Sequence, residues 1–308
     1  MVHGPHAGRG GRRAVLDPRR ADGLRLQRDT DGTYVRRRFT LTREFQLRNE
    51  LPNIAAWLAN PDLGDPRHRS AALSLSYLAL RSPAGRFLAT DAHRLSRTGA
   101  LVPGTPYPQS RPGPLRGHLQ NLGADPRAAA AFLLSFGAQR FLVRGRRAPG
   151  FFAFSASNTY PLQFHGEHLP LRESRVRLSR SQDALGAPRL DIALRFADAD
   201  VDGVVRAHQH WDDHLRRTGT GRLQYRHEDV AGAVRHQLGG GFHQIGTTRM
   251  SARAEDGVVD GDLGVHGYPD LHVASSSSFV TSGQANPTLT VVAFAVRLSD
   301  HLRRVLRA

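Results

Sequence analysis

The sequence feature that most constrains the fold is the segment Ser282–Leu302, in which a loop of small residues leads into a helix. Asn286 is a preferred N-cap residue type, and Pro287 suits the first helical position. The apolar residues that follow recur at intervals of about 3.6, which predicts a helix with one buried face. They are Leu289, Val292, Ala293, Val296, Leu302 and Val305. The N-terminus of such a helix is suited to bind an anion or an electron-rich ring edge.

A second run, Gly239–Met250, places His243 behind three glycines and ahead of Gly246. Glycine permits positive φ and a close approach of the backbone to a ligand. A histidine on such a backbone is a candidate general base, because its unperturbed pKa lies near ~6.5. The alternative is a loop histidine that is hydrogen-bonded to backbone, and a lone histidine does not decide between the two. Asn286 taken alone is likewise explained as a helix cap.

Six short runs follow one another in the C-terminal part of the chain. They are His243–Met250, Gly257–Asp260, Val265–Gly267, Leu271–Ser277, Ala285–Thr290 and Arg297–His301. In this order they resemble the C-terminal signature of the glucose–methanol–choline (GMC) oxidoreductases. The resemblance implies an enzyme in which a flavin takes hydride from an alcohol carbon, while a histidine and a second histidine or asparagine handle the hydroxyl group. By position, His243 matches the catalytic histidine and Asn286 matches its partner.

The resemblance also implies FAD as the cofactor. Ala274, Ser275 and Ser276 follow a predicted strand at Leu271–Val273, and we expect them to approach the flavin through backbone groups. Asn286, Pro287 and Thr288 begin the last helix, whose positive end would face the pyrimidine edge of the flavin.

The glycine-rich turn G-x-G-x-x-G, which cradles the pyrophosphate of FAD between a strand and a helix, is not found in the sequence. We therefore expect the FAD site to be incomplete in this chain and to need an N-terminal FAD-domain polypeptide. The chain is then expected to be a fragment, a split subunit or the product of an interrupted gene. Without that polypeptide, the apolar face at Leu289, Val292 and Val296 would be left partly open.

The composition excludes several other classes of protein. There is no cysteine, so no disulfide framework or thiolate metal site can form. The net charge of +16 suggests a nucleic-acid partner, but all 43 basic residues are arginine and they are dispersed, which favours a G+C-rich genome as the cause. We expect no membrane span, because no apolar run approaches ~20 residues. With no signal peptide visible, the sequence predicts a cytoplasmic protein.

The predicted fold class is α+β, with an antiparallel substrate-domain sheet, helices, and the C-terminal returning segment of an incomplete FAD-binding domain. Residues 1–28 are expected to be disordered or ill-defined, 29–225 to form a substrate-binding domain, and 226–308 to carry the catalytic pair and part of the flavin site. Hydrophobic periodicity predicts a helix at Leu47–Pro61. Further helices are predicted at Ala71–Leu80, at the apolar run Pro126–Phe136 in the core, and at Asp200–Gly219, which begins with acidic residues. Strands are predicted at Asp31–Thr42, Gly150–Ser157, Leu162–Leu169, Ser174–Leu178 and Leu190–Phe196, the last four in one antiparallel sheet.

Three histidines lie on the predicted helix Asp200–Gly219, and His210 and His214 are one turn apart. That spacing is found in metal sites, but a third converging ligand is not indicated. A solvated helix face is therefore the preferred interpretation, and no metal site is expected.

The sequence predicts part of an FAD-dependent alcohol oxidoreductase that acts on a small-molecule alcohol or a sugar-like substrate. One alternative is a non-catalytic remnant or split subunit that needs an N-terminal FAD-binding half. A less favoured alternative is an arginine-rich nucleic-acid binder.

Overall fold

A computed structural model describes residues 2–3, 13–17, 22–24, 26–90, 94, 112–143, 148, 150–155, 158–225, 227–236, 238, 244–283 and 285–307. Within these ranges the chain combines helices with antiparallel strands, which confirms the predicted α+β class. The strands are β1 Val2–His3, β2 Arg13–Leu16, β3 Leu26–Arg28, β4 Tyr34–Arg36, β5 Phe39–Thr40, β6 Ile54–Leu58, β7 Thr159–Gly166, β8 Arg175–Gln182, β9 Pro188–Ala193, β10 Gly221–Gln224, β11 Gly264–Val265 and β12 Tyr268–His272. The helices are α1 Arg43–Arg48, α2 Ala71–Arg81, α3 Gly85–Leu88, α4 Leu115–Ala124, α5 Pro126–Gly137, α6 Asp198–Arg217, α7 Val230–Arg235 and α8 Thr288–Val305.

A six-stranded antiparallel sheet lies at the centre of the described chain. Its order is β10-β2-β7-β6-β5, and β1 also pairs with β7. The longest ladder joins β6 to β7, in a register that runs from Ile54 opposite Gly166 to Leu58 opposite Leu162. Every residue of β6 is buried, as expected of a strand that is covered on both faces.

One long helix, α6, covers one face of this sheet. Its buried residues recur at helical spacing and pack on the alternate side chains of β2, β6 and β7. The carboxylate of Asp200 fixes the start of the helix, because it accepts hydrogen bonds from the N–H groups of Ala197 and Leu169, both at 2.8 Å. The main apolar contacts are made by Val201, Val204, Ala207, Trp211 and Leu215 against Ala14, Ile54, Ala56, Leu58, Tyr160, Leu162 and Phe164.

The predicted helix at Leu47–Pro61 is wrong. The chain forms the short helix α1 and then, after Pro52, the buried strand β6. The apolar residues Ile54–Leu58 form a continuous run, and such a run fits a fully buried strand as well as a helix when periodicity alone is considered. Tertiary pairing with β5 and β7 decides in favour of the strand.

The predicted ill-defined start at residues 1–28 also needs correction. Arg13–Leu16 form a strand that pairs with both β7 and β10, and Ala14 is completely buried. The strand has only four residues and is flanked by arginine, glycine and proline, so its apolar alternation is too short to stand out from its surroundings.

The four strands predicted between residues 150 and 196 do not share one sheet. The described residues 150–155 are irregular, β7 belongs to the central sheet, and β8 pairs only with β9 among the described strands. The predicted turn between β8 and β9 is confirmed, with Gly186 at a φ of +79°. The Asp183 carboxylate accepts the N–H groups of Leu185 and Ala187 there.

The helices predicted at Ala71–Leu80 and Pro126–Phe136 are confirmed as α2 and α5, but the core position of α5 is wrong. No described residue of α5 is buried, and Leu134 is 73% exposed. The rings of Phe132 and Phe136 contact Phe151 instead, so this helix covers a satellite cluster and not the main core.

The prediction that the histidines of the helix at Asp200–Gly219 lie on a solvated face is wrong for His208. This side chain is completely buried, its Nδ1 lies 2.7 Å from the carbonyl oxygen of Val204, and its ring packs between Phe164 and Trp211. A carbonyl oxygen can only accept, so Nδ1 carries the proton and donates. His208 therefore belongs to the core, while His214 stays exposed.

A buried polar cluster lies between α2 and α4. His118 is completely buried, with Nδ1 3.1 Å from the Ser74 hydroxyl and Nε2 3.3 Å from the Gly64 carbonyl oxygen, and Tyr77 stacks on its ring. Nearby, Nδ1 of His68 accepts the N–H of Ser70. Burial lowers the pKa of His68 to about 4, with a further contribution from His118, and burial also lowers the pKa of His118.

This cluster predicts a loss of stability in acid. Both histidines are neutral in the native state, whereas an unfolded histidine binds a proton below about pH 6.5. The unfolded state therefore binds more protons between about pH 6.5 and the lowered native pKa values, and the free energy of unfolding falls as the pH drops through that range. We expect Tm to fall less steeply with pH for His68→Gln than for the wild type. Equal slopes in thermal unfolding between pH 7 and 4 would contradict this explanation.

Candidate active site

The predicted cofactor residues Ala274, Ser275 and Ser276 follow strand β12 directly. The strand ends at His272, one residue before the predicted end, and Val273 then donates to the Leu263 carbonyl at 2.9 Å. A 3-10 turn begins at Ser276, where the Ser275 hydroxyl oxygen accepts the N–H of Ser277. The completely buried Ser278 donates its hydroxyl to the Val273 carbonyl at 2.8 Å. These hydrogen bonds fix the backbone of the turn.

The segment that follows His243 runs alongside this turn. The N–H groups of Gly246, Thr248 and Met250 donate to the carbonyl oxygens of Ser276, Ser277 and Ser278, at 3.2, 2.9 and 3.0 Å. The Ser276 hydroxyl also donates to the Gln244 carbonyl at 3.0 Å. His243 itself lies outside the described residues, but Gln244, its neighbour in sequence, is bonded to a predicted cofactor residue.

Gly246 shows why glycine is needed at this approach. Its φ is +79°, in the left-handed region that residues with a side chain rarely adopt. A Cβ atom there would lie 3.3 Å from the Phe279 carbonyl oxygen, which is tighter than an ordinary contact. The glycine allows the two segments to lie side by side.

The last helix begins later than predicted, so Asn286 is not its N-cap. Helix α8 starts at Thr288 with Pro287 as the cap, because the Pro287 carbonyl accepts the first helical hydrogen bond, from the N–H of Val291 at 3.0 Å. No side chain caps this end within the described residues. Asn286 precedes the helix and is exposed, and no side-chain hydrogen bond caps the helix from this position within the described residues. The N–H groups of the first turn, beginning at Thr288, are left for another acceptor.

The predicted burial of one face of α8 is wrong for the chain as described. Leu289 is 82% exposed, and Val292 and Val296 are each more than half exposed, which agrees with the expectation that this apolar face is left open. The helix is held instead by Phe294, whose ring contacts Phe279, and by Arg297, which donates to the Gly261 carbonyl at 2.6 Å.

The loop before Asn286 reaches the end of the central sheet. A Cβ atom at Gly283 would lie 3.5 Å from the side-chain nitrogen of Asn53, the residue that precedes β6. Ser282 is only 8% exposed. Sequence reasoning missed Asn53, because 230 residues separate it from Gly283 and no local motif marks it.

These residues suit the flavin end of FAD. The first turn of α8 offers backbone N–H groups without a side-chain cap, and such groups favour an electron-rich ring edge. The turn at Ala274–Ser276 offers a fixed backbone next to Gln244–Met250. The described residues thus offer backbone groups of the kind that can hold a flavin ring, while the sequence contains no glycine-rich turn for the pyrophosphate. Among the residues that the structure describes, no helix combines the length and the apolar character that a membrane span requires.

Comparison with known proteins adds an independent finding. Residues 170–295 match the C-terminal domain of the family described as GMC oxidoreductase. The matched range includes His243, Asn286 and the turn at Ala274–Ser276.

Three similar proteins have named activities. The chain is 33% identical over 116 residues to 2-methyl-1,2-propanediol dehydrogenase of Mycolicibacterium austroafricanum, covering 34% of this chain and 21% of that protein. It is 30% identical over 171 residues to C-glycoside 3-oxidase of Microbacterium trichothecenolyticum, covering 47% and 33%. It is 28% identical over 155 residues to paromamine 6'-oxidase of Streptomyces fradiae, covering 47% and 27%.

The chain thus spans a third or less of the length of these relatives. All three are named as oxidases or dehydrogenases, and the resemblance seen in the sequence is confirmed by the family match. The resemblance to the GMC oxidoreductases is thus shown for residues 170–295 of this chain.

Proposed function

We propose that this chain forms the catalytic and substrate-facing part of an FAD-dependent alcohol oxidoreductase, with His243 as the general base and Asn286 as its partner. The observation that supports this most is the hydrogen-bonded pairing of Gln244–Met250 with the turn at Ser276–Ser278. It joins the segment of the candidate base to the segment of the candidate cofactor site. Both segments lie inside the range that matches the family.

When bound, FAD would supply the acceptor for the hydride of an alcohol carbon. The protein residues would handle the hydroxyl group. A neutral His243 would accept the hydroxyl proton as the carbon–oxygen double bond forms, a role for which the pKa range of histidine is suited. The Asn286 amide would donate a hydrogen bond to the same oxygen and hold the alcohol in place. One hydride and one proton leave the alcohol, which becomes a carbonyl compound.

The flavin would be held by backbone groups of Ala274, Ser275 and Ser276 and by the start of α8 at Asn286, Pro287 and Thr288. Negative charge on a reduced flavin would be stabilised by the N–H groups of the uncapped first turn, whose partial charge is positive. We infer that residues outside this sequence hold the pyrophosphate, since the glycine-rich turn is not found in it. An N-terminal FAD-domain polypeptide would also cover the exposed Leu289, Val292 and Val296.

The substrate would be a small molecule that carries hydroxyl groups. The printed names of the three relatives refer to a propanediol, a C-glycoside and paromamine. We propose an alcohol or sugar-like substrate for this chain on the same basis. The division into a substrate domain at 29–225 and a C-terminal segment at 226–308 stays a prediction.

One observation favours the alternative, which is a non-catalytic remnant or a split subunit. The apolar face of α8 is open in the described chain, as expected for a polypeptide that needs a second part. A remnant would fold without oxidising alcohols even after FAD is supplied with the N-terminal half of a relative. A split subunit would become active under the same conditions.

Replacement of Asn286 tests the proposal. Asn286→Ala in the FAD-loaded protein should lower turnover with an artificial electron acceptor by about 10²–10³-fold, the loss found when one donor to a reacting oxygen is removed. Because Asn286 is exposed and does not cap α8, the free energy of unfolding should change by no more than about 0.5 kcal/mol. A variant with unchanged turnover, or one that loses activity only because it unfolds, would count against the assignment.

A further inference from the structure

Asn53 and Glu167 face each other at the end of the β6–β7 ladder. They extend the register by one pair beyond Ile54 and Gly166. The Glu167 N–H donates to the Asn53 carbonyl at 2.8 Å, and the Asn53 N–H donates to the Glu167 carboxylate at 3.2 Å. Both backbone groups of Asn53 are therefore bonded to Glu167, and the position of Asn53 is fixed.

The side chain of Asn53 lies on the sheet face opposite α6. Side chains alternate along a strand, so Asn53 shares a face with Ala55 and Trp57, while Ile54, Ala56 and Leu58 pack on the helix. Across the ladder, His165 lies on the same face and its ring contacts Trp57 at 4.5 Å. This face carries polar and aromatic groups and not the apolar core.

The Asn53 amide adjoins the loop that leads to Asn286. Its nitrogen lies 3.5 Å from the position of a Cβ atom on Gly283, and three residues of chain span at most about 11 Å. Asn53 is half-buried, and its amide forms no hydrogen bond within the described ranges. Next to Gly283, the hydroxyl of Ser282 is buried and likewise has no partner among the described residues. A buried hydroxyl is normally hydrogen-bonded, so the unused Ser282 hydroxyl beside the Asn53 amide indicates a ligand.

We propose that the Asn53 amide binds a second hydroxyl group of the substrate and thereby selects diols and polyols over monohydric alcohols. Glu167 acts as its positioning residue. An amide offers both a donor and an acceptor, and a hydroxyl group both donates and accepts, so the two are complementary. This inference rests on the proposed function, because it concerns the alcohol that Asn286 and His243 would bind.

The test compares two substrates of similar size, propane-1,2-diol and propan-1-ol, in the FAD-loaded protein. Asn53→Ala should lower kcat/KM for the diol by about tenfold, mainly through KM, because one neutral hydrogen bond is lost. The value for propan-1-ol should stay within about twofold, because that alcohol has no hydroxyl group for the amide to bind. Asn53→Ser, which keeps a donor and an acceptor, should restore part of the preference. Equal losses for both alcohols would mean a structural role and would overturn the proposal.

Glu167 provides a second pair of variants. Glu167→Gln keeps a side-chain oxygen for the Asn53 N–H and should preserve the preference for the diol, whereas Glu167→Ala should weaken it. A Glu167→Ala variant that keeps the full preference would overturn the positioning role.

A measurement independent of turnover separates this inference from the proposed function. The side-chain amide resonance of Asn53, assigned by its loss in Asn53→Ala, should shift on addition of propane-1,2-diol and not of propan-1-ol. If this shift occurs in a protein that oxidises neither alcohol, the proposed reaction fails while the binding site stands. If the protein oxidises the diol and the resonance does not move, the role of Asn53 is refuted.

Discussion

His243→Ala in the FAD-loaded protein is expected to slow flavin reduction by an alcohol by about 10²–10⁴-fold, the usual contribution of a positioned general base. The bound flavin should be retained, because the residues proposed to contact it are the backbone of Ala274–Ser276 and the start of α8. Rapid mixing of the variant with alcohol in the absence of oxygen measures the chemical step directly. The loss should appear in the limiting rate at saturating alcohol, since the base acts on bound substrate.

His236→Ala is the matched control. His236 is exposed, follows helix α7 and lies seven residues before His243 in the sequence. Its replacement should leave the rate of flavin reduction unchanged. A His243→Ala protein that reduces its flavin as fast as the wild type would remove His243 from the mechanism.

Trp211→Ala is expected to lower the free energy of unfolding by about 3–5 kcal/mol, the usual cost of truncating a large buried aromatic residue. Trp211 is 5% exposed and belongs to the core between α6 and the central sheet, where its ring also packs on His208. Truncation would leave a cavity that the packed sheet cannot fill. Denaturant unfolding of the two proteins measures the difference.

Two further variants show whether that loss reflects core packing. Trp211→Phe should cost much less than Trp211→Ala, because it keeps a ring and because the indole N–H has no hydrogen-bond partner within the described residues. Leu289→Ala, at a position that is 82% exposed, should change the free energy of unfolding by no more than about 0.5 kcal/mol. A Trp211→Ala protein as stable as Leu289→Ala would show that α6 does not form the core in solution.

The parts of the fold that could be predicted from the sequence are the long periodic helices. The intervals of its apolar residues identify α8, and the acidic residues at its start identify α6, because both signals are local properties of the sequence. The strand β6 is not predicted because Leu51, Ile54, Ala55 and Leu58 recur at helical spacing, although the apolar run Ile54–Leu58 fits a fully buried strand equally well. Its identity as a strand depends on β7, which lies about a hundred residues away. The burial of His208 could not be predicted either, since only the packed structure places Phe164 against its ring.

The residues of the candidate site could likewise be predicted only where they lie close together in the sequence. Ordered motifs pointed to His243, to Asn286 and to the turn at Ala274–Ser276, because these residues lie within one short stretch of chain. The role of Asn286 as a cap was wrong, since the Pro287 carbonyl accepts the first helical hydrogen bond. Asn53 and Glu167 could not be found in the sequence, because they meet only through the sheet.

The most direct test of the central claim is the absorbance of the bound flavin during anaerobic mixing with an alcohol or polyol. The protein that contains this chain, loaded with FAD, should lose its oxidised flavin absorbance when propane-1,2-diol is added, and the same amount of carbonyl product should form. A folded protein whose bound flavin stays oxidised with every alcohol and polyol offered would contradict the claim that these residues serve alcohol oxidation.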